Sequence, residues 1–336
     1  MNPSPICLPE PSASFLPRWR GFNLQGRYSL QHSNQGFNEE DFQLISDWGF
    51  NYSRLPMDYR IWIKNGDWNI IHEEPFRNID QTVEWGQKYG IHVCLNIHRA
   101  PGYCINQPKE PRNLWQERDV QDVFAKHWTF IARRYKGIPN TRLSFDLLNE
   151  PNEVDNTTYA KVCQVLVEAI RKEDPERLIL ADGTDAGAKP VSELIPLKIA
   201  QGTRGYQPMP ISHHQASWFP PSKDFPPPAW PLVHEGMVYD KAWLKKNAID
   251  PWKALQAQGV GIFVGEWGCH NMTPHRVVLA WMEDQLQLWK EAGWGWALWQ
   301  FKGNFGVMNS NRTDVAYESF NGHQLDRKML ALLQKY

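Results

Sequence analysis

The 336-residue chain is short of several features that would direct a reading. It has only five cysteines, Cys7, Cys94, Cys104, Cys163 and Cys269, an odd number with no pair at C-x-x-C spacing. That argues against a disulfide framework and a structural zinc site, and leaves the thiols as small buried hydrophobes. It has no surplus of either charge: 36 Lys and Arg stand against 37 Asp and Glu, a net −1. Nucleic acids and anionic membrane surfaces need a basic face, so neither is expected as a partner. No apolar run is long enough to span a bilayer. Residues 1–17 form a Pro-rich segment (Pro3, Pro5, Pro9, Pro11, Pro17) with no basic residue followed by an apolar core, which does not read as a signal peptide. The expectation is a cytoplasmic protein or an exported one lacking its leader. After the first predicted strand, G-F-N-L-Q-G is not the glycine-rich phosphate turn of a doubly wound sheet.

The chain is rich in apolar and aromatic side chains. With 42% hydrophobic and 22% charged residues it can fill a large core. Seventeen tryptophans stand out. Composition alone assigns them to the core, although aromatic faces also suit the C–H faces of sugars. Eight strand-like runs are readable: Trp19–Leu24, Phe50–Leu55, His92–Ile97, Leu143–Leu148, Leu178–Ala181, Gly205–Ile211, Gly261–Gly265 and Trp294–Trp299. Helical patterns fall between and after them, at Glu39–Trp48, Ile79–Tyr89, Asp119–Tyr135, Thr157–Lys172, Val191–Ala200, Pro251–Gln258, Pro274–Glu291 and Leu325–Gln334. The alternation predicts an α/β fold, a single (β/α)8 TIM barrel over residues 1–336, expected as a monomer. In such a barrel the chemistry lies at the C-terminal ends of the strands. A long aromatic and Pro-rich loop, residues 212–250, follows the sixth predicted strand. Its length suits a wall of the cleft, and its own aromatics suit a rigid surface crossover.

Two acids end apolar strands. The fourth strand runs L-S-F-D-L-L-N-E-P, to Asn149 and Glu150; the seventh runs G-I-F-V-G-E-W-G, to Glu266. A carboxylate in such a place needs a partner or a task. Strands four and seven of an eight-stranded barrel lie on roughly opposite sides, so the two carboxyls can face each other across the mouth. Glycoside hydrolysis asks for such a pair, one protonated to donate to the leaving oxygen and one ionised to attack the anomeric carbon.

These motifs resemble glycoside hydrolase family 5, the cellulase-like retaining enzymes. The resemblance covers nearly the whole chain: Arg20-Gly21-Phe22-Asn23, Asn51-Tyr52-Ser53-Arg54-Leu55-Pro56, Asn96-Ile97-His98-Arg99-Ala100-Pro101-Gly102-Tyr103, N-E-P, G-E-W-G and Trp296-Ala297-Leu298-Trp299, in order and at strand ends. It implies Glu150 as general acid/base and Glu266 as nucleophile. Asn149 would bond the sugar 2-hydroxyl, Arg54 would hold Glu266 ionised, His98 and Trp299 would line the reacting subsite, and Tyr206 would bond the nucleophile. It also implies an oligo- or polysaccharide substrate (a β-glucan, a β-mannan or a shorter β-glucoside) and no metal or other cofactor.

Two departures accompany it. Relatives usually read His-x-Tyr on the sixth strand, where this chain has Arg204-Gly205-Tyr206. Either Arg204 or an imidazole of Ser212-His213-His214-Gln215, His213 being the candidate, would then reach the site. Met308-Asn309-Ser310 stands where relatives often carry Leu-Asp-Ser. Asp146 reads as a partner of polar groups inside the barrel, and Asp182 as a lining residue. The rival readings are a transglycosylase on the same residues, a non-catalytic glycan-binding barrel, and a metal-dependent hydrolase using His98, His213, Glu150 and Glu266 as ligands.

Overall fold

Eight parallel strands close on themselves in the computed structural model, which describes residues 9–336. They are β1 (Arg20–Asn23), β2 (Tyr52–Asp58), β3 (His92–Arg99), β4 (Leu143–Asp146), β5 (Ile179–Asp182), β6 (Ala200–Gly205), β7 (Ile262–Trp267) and β8 (Gly295–Leu298), with β8 returning to pair with β1. Around them lie α1 (Glu39–Asp47), α2 (Phe76–Tyr89), α3 (Arg118–Arg134), α4 (Asn156–Glu173), α5 (Asp250–Gln256), α6 (His275–Ala292) and α7 (Arg327–Lys335). This is the predicted (β/α)8 barrel.

Local chemistry accounts for these elements. In α4, Tyr159, Val162, Cys163, Leu166, Val167 and Ile170 form one buried stripe at helical spacing. Its cap is Asp155, whose carboxylate accepts from the Thr158 amide at 2.9 Å. In α2, Gly86 lets the helix press onto β3, since a Cβ there would lie 2.6 Å from Val93.

The sixth strand was misplaced by the sequence pattern. It is Ala200–Gly205, not Gly205–Ile211, and the predicted helix Val191–Ala200 is replaced by a 3-10 turn at Ser192–Leu197 containing Pro196. The run A-Q-G-T-R-G has no apolar signature because its inward residues are small or charged. The run after it contains Pro208 and Pro210 and cannot supply ladder hydrogen bonds.

Inside the barrel, side chains change character with height. Leu16, Trp19, Tyr52, Cys94, Leu178, Leu180, Ala200, Phe263 and Ala297 form a small apolar cluster at the lower end. The described part of the Pro-rich segment seals that end, with the Ala13 carbonyl accepting from the Gly261 amide at 2.7 Å. Residues 1–8, with Cys7 among them, lie outside the described residues; Cys94, Cys104, Cys163 and Cys269 are buried and free. No described helix is long and apolar enough to cross a membrane.

The long loop is built differently along its length. Its middle carries a hairpin, Leu232–His234 with Met237–Tyr239, and is tied to α6 by the Trp230 indole donating to Asp284 at 2.8 Å. Residues 213–219 instead lie against the barrel mouth.

Candidate active site

Inward-facing residues alternate along each strand, so one strand supplies both floor and mouth. Two residues above Tyr52 in the apolar cluster, β2 presents Arg54; above Leu178 and Leu180, β5 presents Asp182; above Ala200, β6 presents Gly202 and then Arg204. On β7 this period would turn residue 266 outward with Val264. A register shift between Val264 and Glu266 intervenes, and Glu266 turns in. The bulge is what aims this carboxylate into the mouth.

Glu266 is 3% exposed and heavily bonded. Arg54 donates to its Oε1 at 2.5 Å, and the Tyr206 hydroxyl donates to its Oε2 at 3.1 Å. Arg54 also donates to Asp146 at 2.8 Å, to Asn23 at 3.0 Å and to Asn149 at 2.8 Å. Burial alone would lower the Arg54 pKa, but the carboxylates of Asp146 and Glu266 raise it overall, so its charge is fixed.

Glu150 lies four residues beyond the end of β4, with its backbone in the left-handed region at φ 49°. A non-glycine residue there is strained by about 1–3 kcal/mol. Its amide donates to Asp182 Oδ2 at 2.9 Å, and its carbonyl accepts from the Tyr103 hydroxyl at 2.6 Å. Burial raises its pKa above the carboxylate range; the nearby Glu266 charge adds to this and Arg204 opposes it.

Arg204 answers the question left by the missing sixth-strand histidine. Its Nε donates to Glu150 Oε1 at 2.9 Å and its Nη1 to Asp182 Oδ1 at 2.9 Å, while Nη2 bonds Asp182 Oδ2 and lies 3.6 Å from Glu266 Oε1. Asp182 is therefore not a lining residue as expected: it is 1% exposed and clamps Arg204 from below. Asp146 is the interior partner the sequence indicated, and burial followed by repulsion from Asp182 raises its pKa.

The remaining candidates divide. Asn149 Oδ1 accepts from both arginines, and its buried Nδ2 has no partner among the described residues. His98 Nδ1 has no hydrogen-bond partner among the described residues and lies 3.9 Å from Glu266 Oε1; burial, then the charges of Arg54 and Arg204, push its pKa well down, so the ring is neutral. His98 stacks on Trp299 at 5.5 Å, and Tyr28 meets both rings edge-on. His213 bonds Ser212 at 2.9 Å and backs Tyr206 at a ring distance of 5.2 Å, so it supports the site from behind. Met308-Asn309-Ser310 belongs to the loop after β8, where Asn309 bonds His323 and Ser310 bonds Tyr317.

Sequence reasoning missed Tyr28, the support of Tyr103 under Glu150, and Trp218. Trp218 is 54% exposed on the loop after β6, with its ring 4.8 Å from His270 and 6.1 Å from Phe305. Its exposure beside other rings was the missing signal, and a sequence does not show exposure. Two guanidiniums lie among the four carboxyls, in the space a divalent cation would need, which counts against the metal-dependent rival.

The family model described as cellulase (glycosyl hydrolase family 5) matches residues 10–305. The chain belongs to glycosyl hydrolase family 5. It is a retaining β-glycoside hydrolase, and the non-catalytic alternative falls with that. Among family 5 relatives, Endoglucanase C of Acetivibrio thermocellus is 26% identical over 332 residues, covering 90% of this chain and 96% of its own. Cellodextrinase A of Ruminococcus flavefaciens is 26% identical over 274 residues, covering 79% and 80%. A crystal structure of a glycoside hydrolase superposes with a TM-score of 0.90 at 39% identity, covering 95% of this chain and 99% of its own. Thermotoga maritima Cel5A, solved with mannotriose, shares the fold at a TM-score of 0.76 and 20% identity, covering 94% and 97%.

Proposed function

We propose that this family 5 chain cleaves β-linked glucan chains and oligosaccharides by double displacement, with Glu150 as acid/base and Glu266 as nucleophile. The observation that carries the reading is the opposite surroundings of the two carboxyls. Glu266 takes the fixed charge of Arg54 at 2.5 Å and the Tyr206 hydroxyl, whereas the half-buried Glu150 has, among the described residues, Arg204 alone, at 2.9 Å, and is held toward its neutral form by lost hydration and the Glu266 charge.

In the first step the Glu150 hydroxyl gives its proton to the glycosidic oxygen. The C1–O bond breaks with its electron pair going to that oxygen, and a Glu266 oxygen bonds C1 from the other side. In the second step water attacks C1, its proton passes to the Glu150 carboxylate, and the bond to Glu266 breaks, returning its charge. The unpartnered Asn149 Nδ2 suits the sugar 2-hydroxyl, a bond that strengthens in the transition state. Trp299, half-buried and stacked on neutral His98, offers a flat face to the reacting ring.

Relatives named endoglucanase and cellodextrinase support a glucan substrate. The rim supports a chain longer than one sugar. Rings run outward from Tyr206 through His213 and Phe305 to exposed Trp218. The decisive test is Glu150→Gln assayed on an aryl β-glucoside with a good leaving group, with and without azide. The first step should persist, since such a leaving group needs little protonation. Azide, which needs no base, should restore turnover and give the β-glycosyl azide. Near-normal hydrolysis of natural glucans by this variant would falsify the assignment.

A further inference from the structure

We infer that Arg204 is a positioning residue that accompanies the negative charge of the site from Glu266 to Glu150 and back during each turnover. The inference rests on the acid/base and nucleophile roles proposed above. In the free enzyme the anion is on Glu266. Once the glycosyl ester forms, Glu266 carries no charge and Glu150, having given up its proton, does. The pair holds one negative charge throughout, and only its location changes. Arg54 has a hydrogen bond to Glu266 and none to Glu150. Arg204 reaches both, with Nε 2.9 Å from Glu150 and Nη2 3.6 Å from Glu266.

The socket around Arg204 is built for a guanidinium. Arg204 and Glu266 are register partners across the β6–β7 ladder, which fixes the relative height of the two side chains. Asp182 grips the guanidinium through both carboxylate oxygens, which sets its plane. Two glycines leave the room. A Cβ at Gly187, whose φ is +78°, would lie 2.6 Å from Arg204 Cγ, and one at Gly265 would lie 2.7 Å from its Nη1. Asn149 Oδ1 bridges the two arginines, accepting at 2.8 Å from Arg54 and 2.9 Å from Arg204.

The charged groups facing Glu150 are Arg204 from β6, Asp182 from β5 and Glu266 from β7, with the phenols of Tyr28, Tyr103 and Tyr206 also near it. Beyond burial, Glu266 and Asp182 raise its pKa and Arg204 lowers it. Arg204 therefore makes Glu150 a stronger acid in the first step and stabilises the carboxylate that acts as base in the second. A histidine could supply this only while protonated; a guanidinium supplies it at every working pH.

The test is the pH profile of kcat/KM on a β-glucan oligosaccharide. Its basic limb reports loss of the Glu150 proton in the free enzyme. Arg204→Met should move that limb upward by about 1–2 pH units, the usual effect of removing a paired guanidinium. Asp182→Asn removes a negative charge and should move it downward, and Arg204→Lys should stay near the parent. Opposite shifts from the two neutralising variants are something general loosening of the fold would not give. If both variants only lower activity with the limb in place, or both shift it the same way, the inference is overturned. Should Arg204→Met fail to fold, Arg204→Gln, which also removes the charge, takes its place in the comparison with Asp182→Asn. Failure of azide to rescue Glu150→Gln would remove the underlying reading; successful rescue with an unmoved limb removes this inference alone.

Discussion

At its lower end the barrel is filled by rings, with His92 stacked on Trp19 at 3.8 Å and beside Tyr52 at 5.6 Å. At its upper end, on the same strands, Arg54 and Arg204 are set among Asp146, Glu150, Asp182 and Glu266. Both ends bury ionisable groups, but by opposite means. Below, no carboxylate among the described residues pairs with His92; burial pushes its pKa down to about 3 and it stays neutral, bonded to Ser144 at 2.8 Å. Above, four carboxyls share two guanidiniums, and burial followed by repulsion between carboxylates raises the pKa of both Glu150 and Asp146. Removing charge and sharing charge are two routes to a buried polar group, and only the second leaves a proton that can be moved. The lower end serves folding and the upper end serves chemistry.

Variants at each end sharpen that division, and the largest effect is expected above. Glu266→Gln should lower kcat on every substrate by about 10⁴-fold or more. Thermal unfolding should show equal or higher stability, because one buried charge is gone. A loss of stability matching the loss of activity would break the comparison from above. Next comes Trp19→Ala below. It should cost about 3–5 kcal/mol in denaturant unfolding while the folded fraction keeps its kcat. A selective fall in kcat at full stability would break the comparison from below. The smallest effect is expected at the rim, where Trp218→Ala should raise KM for long oligosaccharides several-fold, in line with the roughly 0.5–1.5 kcal/mol of an aromatic contact. It should leave a short aryl glucoside unaffected, and equal losses on both would place Trp218 outside the substrate path.

The strand order was legible in the sequence because apolar periodicity reports burial. Seven of the eight strands lie close to where their runs were read. The sixth was missed because its inward residues, Ala200, Gly202 and Arg204, serve the charged end and carry no apolar signal. The two glutamates were visible as acids closing apolar runs. The bulge that turns Glu266 inward was not, since a register shift depends on the neighbouring strands. Arg204 was visible only as a departure. Its role needed three contacts from separate strands, and those contacts also move Asp182 from the cleft lining to the layer beneath it. His213 had the right neighbourhood and the wrong depth: Tyr206 stands between it and the carboxylates.

The left-handed backbone at Glu150 bears on any effort to evolve the protein for robustness. Glycine would adopt that conformation with less strain than glutamate, and it would also remove a half-buried acid. A library sorted only for heat resistance should therefore drift toward the Glu150→Gly substitution and, with Glu150 in its proposed role, collect well-folded, inert barrels. Directed evolution of this scaffold needs turnover in every round of selection, because folding stability alone gives no reason to keep its acid.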